Sequence, residues 1–292
     1  MWNYNIIYWV ITLKKIFEGI GLFSLVCFSF FYTNKISTVI KENDDVLKQI
    51  KEVENQYKTE PIDAIIVDNT IIPGISGSEI DVKKSYKKMK KLNEFNDSLL
   101  VYKKIKPIIS VNEVYDKYIV SGNGNKKEVS LVFLVNNNDD ISSIINILNQ
   151  NNIKATFFID GIWFENNNEL IINLIENNHI VGNLGYNLDY DNDGVVWMNA
   201  VVTKIANQND TYCYNENDDE SLNICKDNNS YTIRPSIITN QNPLIEIKKT
   251  LKSGSIISLN VNELTTKQLP LIIEYINSRD LEMVNIEKLI SE

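Results

Sequence analysis

Histidine is almost missing from this sequence, since only His179 occurs among 292 residues. Catalytic zinc is commonly held by two or three histidines, or by histidines together with cysteines or carboxylates. A lone histidine cannot build such a centre. The sequence therefore excludes a histidine-rich metal site.

The sequence also has no excess of positive charge. The formal net charge is −9, with 43% hydrophobic and 23% charged residues. This composition is typical of a globular protein, and the length allows one large domain and a small one. The negative charge argues against nucleic acid, and against an anionic membrane surface, as the main partner.

Long apolar runs are scarce, and only the stretch from Gly19 to Thr33, extended back to Ile16, is a candidate for the bilayer. We predict a transmembrane signal anchor at residues 16–33, after a short cytoplasmic or interfacial segment at 1–15. Bulky residues around Phe30 disfavour cleavage. The expected localisation is the cell membrane, single-pass, with the C-terminal domain extracellular. A buried soluble helix is the alternative.

Cysteine is also rare, with three in the chain. Cys27 falls in the apolar stretch, while Cys213 and Cys225 bracket a polar loop that has neither a second cysteine pair nor a nearby histidine. We predict a disulfide between Cys213 and Cys225. Two unrelated free thiols are the alternative, because pairing cannot be deduced from sequence.

Two smaller segments precede the main part of the chain. Residues 34–60 carry apolar residues at alternating spacings of four and three, which predicts a helical stalk or a solvated helix with one packed face. Residues 61–125 read as a small α+β unit and linker, with a helix that opens at Asp81. The lysine-rich face of that helix is either a solvated surface or a binding surface for acidic polymers.

Residues 126–292 alternate apolar runs with helical segments. This alternation predicts βα units around a parallel sheet or barrel, hence an α/β fold. No internal repeat of fixed period occurs.

Five strings in this region carry a resemblance: "VSLVFLV", "IKATFFIDG", "NNHIVGNLGYN", "IRPS" and "GSIISLN". Their order and spacing resemble the polysaccharide deacetylase family, the carbohydrate esterases with NodB homology. The resemblance covers roughly residues 129–292. It implies a distorted (β/α) barrel and removal of acetyl groups from N-acetylated sugars in chitin, peptidoglycan or related glycans.

The family chemistry uses a divalent metal such as zinc, held by one aspartate and two histidines, with a further aspartate as base and a later histidine as acid. Here the matching positions carry side chains that can do neither task. They are Leu134, Val135, Leu184, Leu188 and Asn260. Of the catalytic pattern only Arg234 and Pro235 remain, so the resemblance implies a degenerate member without a metal cofactor and without catalytic residues.

Several other residues are candidates for a retained or rebuilt site. Asp139, Asp140, Asp160 and the acidic run from Asp189 to Asp193 could serve as replacement ligands, although helix capping explains the first two equally well. A barrel mouth that once held a sugar can keep side chains that contact it. The ligand-binding candidates are Asp160, Trp163, Tyr186, Tyr190, Trp197 and Arg234.

The resulting interpretation is a membrane-anchored, extracellular, deacetylase-like pseudoenzyme that acts as a glycan-binding module on cell-wall polysaccharide or peptidoglycan. Two alternatives stay open. One is an active metal-dependent deacetylase with a rebuilt site, and the other is a protein-interaction scaffold that works through the lysine-rich unit. The sequence leaves the oligomeric state undetermined.

Overall fold

The computed structural model describes residues 19–21, 23–30, 44–136, 139–206, 208–216 and 218–292. Its helices are α1 (Asp45–Glu54), α2 (Val82–Met89), α3 (Ser142–Gln150), α4 (Gly161–Asn166), α5 (Asn168–Glu176), α6 (Asn192–Ala206), α7 (Asp219–Asp227), α8 (Pro243–Thr250), α9 (Glu263–Ser278) and α10 (Ile286–Ile290). Its strands are β1 (Ile65–Val67), β2 (Thr70–Ile72), β3 (Gly77–Ile80), β4 (Tyr102–Ile105), β5 (Tyr118–Ile119), β6 (Glu128–Val135), β7 (Thr156–Ile159), β8 (Ile180–Asn183), β9 (Thr211–Tyr214), β10 (Ser230–Ile233), β11 (Ile237–Ile238), β12 (Ile256–Asn260) and β13 (Glu282–Met283).

The predicted membrane anchor at residues 16–33 is wrong. Across the described ranges, no helix has the length and apolar character needed to cross a bilayer. The predicted single-pass membrane localisation with an extracellular C-terminal domain depended on this anchor and is contradicted by the same finding. The predicted segment 1–15 and the rest of segment 16–33 lie outside the described residues.

A first compact unit comprises the described residues up to 59 together with residues 78–104. Asp44 caps α1, and Asp81 caps α2 by accepting a hydrogen bond from the Lys84 amide at 2.9 Å. Val46 and Ile50 of α1 are buried in one apolar cluster with residues of α2 and β3. The helix predicted as a stalk within residues 34–60 is therefore packed along one face, because its apolar stripe finds partners inside this unit.

The second unit comprises residues 60–77 and 105–292. Its sheet has the strand order β1-β2-β5-β10-β9-β8-β7-β6-β12-β11, with β13 added to β6. Every pairing is parallel except that of β1 with β2. This is the α/β half-barrel form of the expected fold. The predicted boundary at residue 126 is displaced, because β1, β2 and β5, from the segment 61–125, pair into this sheet.

Side chains on alternate residues of the strands enter two different apolar clusters. Phe133 and Phe157 pack between the sheet and the helices, with ring centroids 5.1 Å apart. Val132 and Phe158, one residue away on each strand, enter the inner cluster on the other face. The period of two along each strand thus assigns one set of side chains to the helix layer and one to the barrel interior.

Candidate functional site

The candidate site lies where β6, β7, β8 and β12 end, since the carboxyl ends of parallel strands meet at one edge of a sheet. Asn260 is the register partner of Leu134, and Leu134 is the partner of Phe158. The strand register therefore places the ends of β6 and β12, which the sequence resemblance had assigned to one site, side by side, with the end of β7 on the other side of β6.

The side chains at the end of β6 are committed to apolar packing. Leu134 is half-buried against the inner cluster. Val135 is fully buried in the outer cluster beneath the helices. Neither side chain offers a group that could bind a metal or accept a proton.

Leu184 and Leu188 follow β8 and have different environments. Leu184 is 9% exposed and packs in the inner cluster with Phe158 and Tyr214. Leu188 is 54% exposed and adopts a left-handed backbone with φ of 61°. Two side chains four residues apart could both bind a metal. Here, however, Leu184 is a core residue and Leu188 lies in a turn with a strained backbone.

Asp160 directly follows β7 and is fully buried. Its Oδ1 accepts hydrogen bonds from the amides of Ile162 at 3.0 Å and Trp163 at 3.4 Å, at the start of α4. Its Oδ2 accepts a hydrogen bond from the Leu188 amide at 2.7 Å. Both carboxylate oxygens thus bind backbone amides, so Asp160 caps a helix and fixes the 186–189 turn.

The other aspartates proposed as replacement ligands are used in local turns. Asp139 accepts a hydrogen bond from the Asn136 amide at 2.8 Å, and burial raises its pKa. Asp140 accepts one from the Ser142 amide at 2.9 Å. Asp191 accepts one from the Gly194 amide at 2.6 Å at the start of α6.

The residues present do not fit a metal. Among the residues that the structure describes, no three histidine, cysteine, aspartate or glutamate side chains are grouped so that they could hold an ion. The strand ends that would supply ligands carry leucine, valine and asparagine instead. These side chains give no mechanism through a bound metal.

Two polar residues that the structure describes at this edge are Asn260 and Arg234. Asn260 is exposed, and its amide nitrogen lies 3.4 Å from the Thr239 carbonyl oxygen. The Arg234 guanidinium is half-buried and lies 4.9 Å from the centre of the Tyr118 ring. Burial, with Asp219 beside the hydroxyl, raises the pKa of Tyr118 to about 12. Tyr118 lies far upstream in the chain, and sequence reasoning missed it because only the β5–β10 pairing brings it under Arg234.

Trp163 is a core residue. Its side chain is 2% exposed, and its Nε1 donates a hydrogen bond to the Asp139 carbonyl at 2.9 Å. No face of the ring is open to a sugar.

Tyr186 and Trp197 are half-buried and pack edge to face, with centroids 5.8 Å apart. The Tyr186 hydroxyl donates a hydrogen bond to Glu165 at 3.1 Å, and this bond raises the pKa of Tyr186. Tyr186 and Trp197 therefore keep partial exposure beside the turn that carries Leu188.

Tyr190 ties two strand ends together. Its hydroxyl lies 2.7 Å from the Asn183 carbonyl and 2.6 Å from the Tyr214 carbonyl, and it accepts a hydrogen bond from the Tyr214 amide. Burial raises the pKa of Tyr190. The hydroxyl is therefore occupied by backbone groups at the ends of β8 and β9.

His179 is structural. Its Nδ1 accepts a hydrogen bond from the Ala155 amide at 3.1 Å, and its Nε2 lies 3.2 Å from the Asn149 side-chain oxygen. Burial, with Lys154 nearby, lowers the pKa of His179 to about 4. The ring is neutral at pH 7 and far along the strand from the candidate site.

The cysteine pair lies outside the site. Cys213 of β9 and Cys225 of α7 form a disulfide, with Cα atoms 6.4 Å apart. Both side chains are fully buried between the sheet and its helix layer.

Comparison with known proteins agrees with this architecture. The family model described as polysaccharide deacetylase matches residues 121–249. The uncharacterised protein YlxY of Bacillus subtilis (strain 168) is 32% identical over 155 residues, which are 51% of this chain and 48% of the relative. The chain thus matches about half the length of this curated relative.

Solved structures show the same fold. Wild-type BA3943, a CE4 family pseudoenzyme from Bacillus anthracis, is 25% identical, with a TM-score of 0.65 over 86% of this chain and 96% of that one. A mutant of BA3943 with restored enzymatic activity matches with the same identity and TM-score over 85% and 99%. PdaA from Bacillus subtilis, a family 4 carbohydrate esterase, is 18% identical, with a TM-score of 0.53 over 79% and 97%, and shows the fold alone.

Proposed function

Because this chain carries a polysaccharide deacetylase domain, we propose that it is a non-catalytic member of that family, which binds glycan chains at the carboxyl edge of its sheet. The burial of Leu184 carries this proposal. A ligand position that has become part of the hydrophobic core supports the loss of catalysis more strongly than an exposed substitution would, because core packing has replaced the metal site.

The chemistry of deacetylation supports the same conclusion. A bound metal lowers the pKa of water from about 15.7 to about 7 and so supplies hydroxide at neutral pH. At this edge Leu134 and Asn260 occupy the positions of proton-transfer groups, and neither can take up or give a proton. The deficit in nucleophile is too large for glycan binding alone to offset.

The partly exposed side chains at this edge are better suited to binding a sugar than to catalysing its deacetylation. Arg234 and Asn260 supply hydrogen-bond donors, while Leu188 and the Tyr186–Trp197 pair supply apolar surface. Sites for neutral polar ligands combine a few fixed polar groups with apolar and aromatic walls. Trp163 and Asp160 take no part in this proposal, because both are buried in local structure.

The test of binding is co-sedimentation of the full chain with insoluble peptidoglycan and with chitin. Arg234→Ala is expected to weaken binding at least fivefold. Arg279→Ala is the matched control, because this exposed arginine lies at the C-terminal end of α9 and should leave binding unchanged. Equal binding by both variants, or no binding by the wild type, would contradict the proposed role.

The test of inactivity is acetate release from acetylated chito-oligosaccharides and peptidoglycan, with added zinc, cobalt or nickel and with chelator. We expect no metal-dependent release. Turnover above the chelated control would favour an active deacetylase that uses residues outside those described above.

A further inference from the structure

The first unit carries a groove that has a charged rim and an apolar floor. The ten residues from Val82 to Lys91, which form α2 and the turn after it, include six lysines and no acidic residue. The groove beside this helix has a volume of about 500 Å³, and Leu92, Leu99 and Val101 line it. Four lysines complete its wall, namely Lys84, Lys87, Lys88 and Lys91.

The lysines around this groove differ in their partners. Lys84 forms an ion pair with Asp81 at 3.2 Å. The side chains of Lys87, Lys88 and Lys91 are exposed, and none of them has an ion pair or a hydrogen bond with the residues that the structure describes. Three positive charges at the rim are therefore available to a partner.

Lys87 and Lys91 also line a second groove. It has a volume of about 390 Å³, and Lys83 and Tyr86 form part of its wall. These two lysines thus form a ridge between two concave surfaces of the same unit. Substitution of the two lysines together changes the charge of both surfaces.

The charge of α2 does not help the helix to form. Lys83 and Lys84 lie in its first turn, where the positive end of the helix dipole disfavours cations. Lys87 and Lys88 follow them by four residues, so that like charges face each other along the helix, which also lowers stability. The packing of α2 depends instead on its opposite face, where Met89 is fully buried. A charge pattern that lowers the stability of its own helix is expected at a binding surface.

We propose that this groove binds an acidic amphipathic helix of a partner protein. Apolar side chains of the partner would pack on the floor, as in other helix-in-groove complexes, while its carboxylates pair with the lysines at the rim. Leu92 is 62% exposed, which is a large exposed fraction for an apolar side chain beside a concave surface. The chain as a whole has a net charge of −9, so α2 is a local positive surface on an acidic protein.

The shape of the groove favours a peptide over two other anionic partners. A flexible acidic polymer would pair with the lysines but would leave the apolar floor uncovered. A flat anionic lipid surface would reach the rim and Leu92, whereas Leu99 and Val101 are half-buried and recessed behind them.

Fluorescence anisotropy with the full chain tests this proposal. The probe is a synthetic helical peptide with leucine at positions i, i+3, i+4 and i+7 and glutamate elsewhere. One control peptide has glutamine in place of each glutamate, and the other has serine in place of each leucine. We expect saturable binding of the acidic peptide, at least tenfold tighter than that of either control and weaker at high salt. Polyglutamate, or vesicles of phosphatidylglycerol and phosphatidylcholine, bound as tightly as the peptide would overturn the proposal.

Variants locate the binding. The double substitution Lys87→Glu with Lys91→Glu is expected to weaken peptide binding at least tenfold, and Leu92→Ser several-fold. Lys87→Arg with Lys91→Arg should keep most of the affinity, because the charge is retained. Thermal unfolding shows that each variant folds.

Lys248→Glu with Lys249→Glu is the matched control, because it changes the net charge of the chain by the same amount at exposed positions on α8. Failure of the acidic peptide to bind, or an equal loss of affinity in the two glutamate variants, would overturn the proposal. Neither result bears on the glycan site, which Arg234→Ala probes separately.

Discussion

Leu188 has a backbone conformation that leucine adopts poorly. Its φ of 61° places Cβ close to backbone atoms, and the preceding Asn187, with φ of 58°, shares the left-handed region. The bond from the Leu188 amide to Asp160 and the bridge between Tyr186 and Asp189 hold the turn in this form. Because the side chain is largely exposed, little packing offsets the strain.

Leu188→Asn is therefore expected to stabilise the protein by about 0.5 to 1 kcal/mol, since asparagine tolerates the left-handed region better than leucine. Urea unfolding measures the change. Leu271→Asn is the control, because Leu271 is similarly exposed but lies inside α9, where asparagine has the lower helix propensity. A loss of stability in the Leu188 variant would show that the exposed leucine makes contacts that outweigh its strain.

His179 gives the protein a pH dependence whose sign follows from its burial. The pKa is about 4 in the folded protein, against the ordinary value of about 6.5 in the unfolded chain. As the pH falls below 6.5 the unfolded chain takes up the proton first, so the free energy of unfolding decreases until pH 4. The full effect is about 3 kcal/mol, and above pH 6.5 it vanishes.

His179→Asn removes this titration while the asparagine oxygen can still accept the Ala155 hydrogen bond. We expect a lower free energy of unfolding at pH 7, because packing on Phe157 is lost. Between pH 6.5 and 4, however, the variant should lose less stability than the wild type. Denaturant unfolding at several pH values measures both slopes, and parallel slopes would show that His179 titrates normally.

At the scale of elements, strands with an apolar run were predictable, and the short strands β2 and β5 were not. The apolar runs of β6, β7 and β12 indicated buried parallel strands, and the structure has them. By contrast β2 and β5 have three and two residues, too few for a pattern, and β5 pairs with β10 more than a hundred residues later. The boundary predicted at residue 126 failed because non-local pairing leaves no local signal.

The disulfide stabilises the connection between β9 and α7. With 12 residues of sequence separation, the chain-entropy model gives about 3 kcal/mol for the closed loop. The double substitution Cys213→Ala with Cys225→Ala should lower the free energy of unfolding by roughly this amount. Reduction of the wild type should do the same, while Cys27→Ala leaves the effect of reductant unchanged. If reductant does not alter the unfolding of the wild type, the pair is not linked in solution.

At the scale of the whole molecule, the sequence predicted which strand ends meet but not how their side chains are buried. Strand order and register bring Leu134 and Asn260 side by side, as the order of the motifs implied. The burial of Val135 and Leu184 in opposite clusters could not be read from residue identity, because it depends on which face of each strand meets which layer. The prediction that Trp163 binds a ligand failed for the same reason, because an aromatic residue in a sequence is as consistent with a core position as with a binding site.

This packing determines what restoring the family residues would do. The variant combines Leu134→Asp, Val135→Asp, Leu184→His, Leu188→His and Asn260→His. Polar groups at the buried positions 135 and 184 are expected to lower stability by several kcal/mol without metal. Zinc should recover part of this loss, about 2.7 kcal/mol at a concentration 100 times Kd, because it binds only the folded state.

Thermal unfolding with and without zinc measures that recovery, and acetate release measures catalysis. We expect zinc stabilisation to return before activity, because the groups that orient metal ligands and carry protons must also be rebuilt around the new side chains. The same variant with Val135→Asn in place of Val135→Asp is the control, since it keeps the size of the side chain and removes the charged ligand. Zinc stabilisation of the wild type, or of the control to the same extent, would show that the metal binds elsewhere and that the strand ends of this half-barrel are not its site.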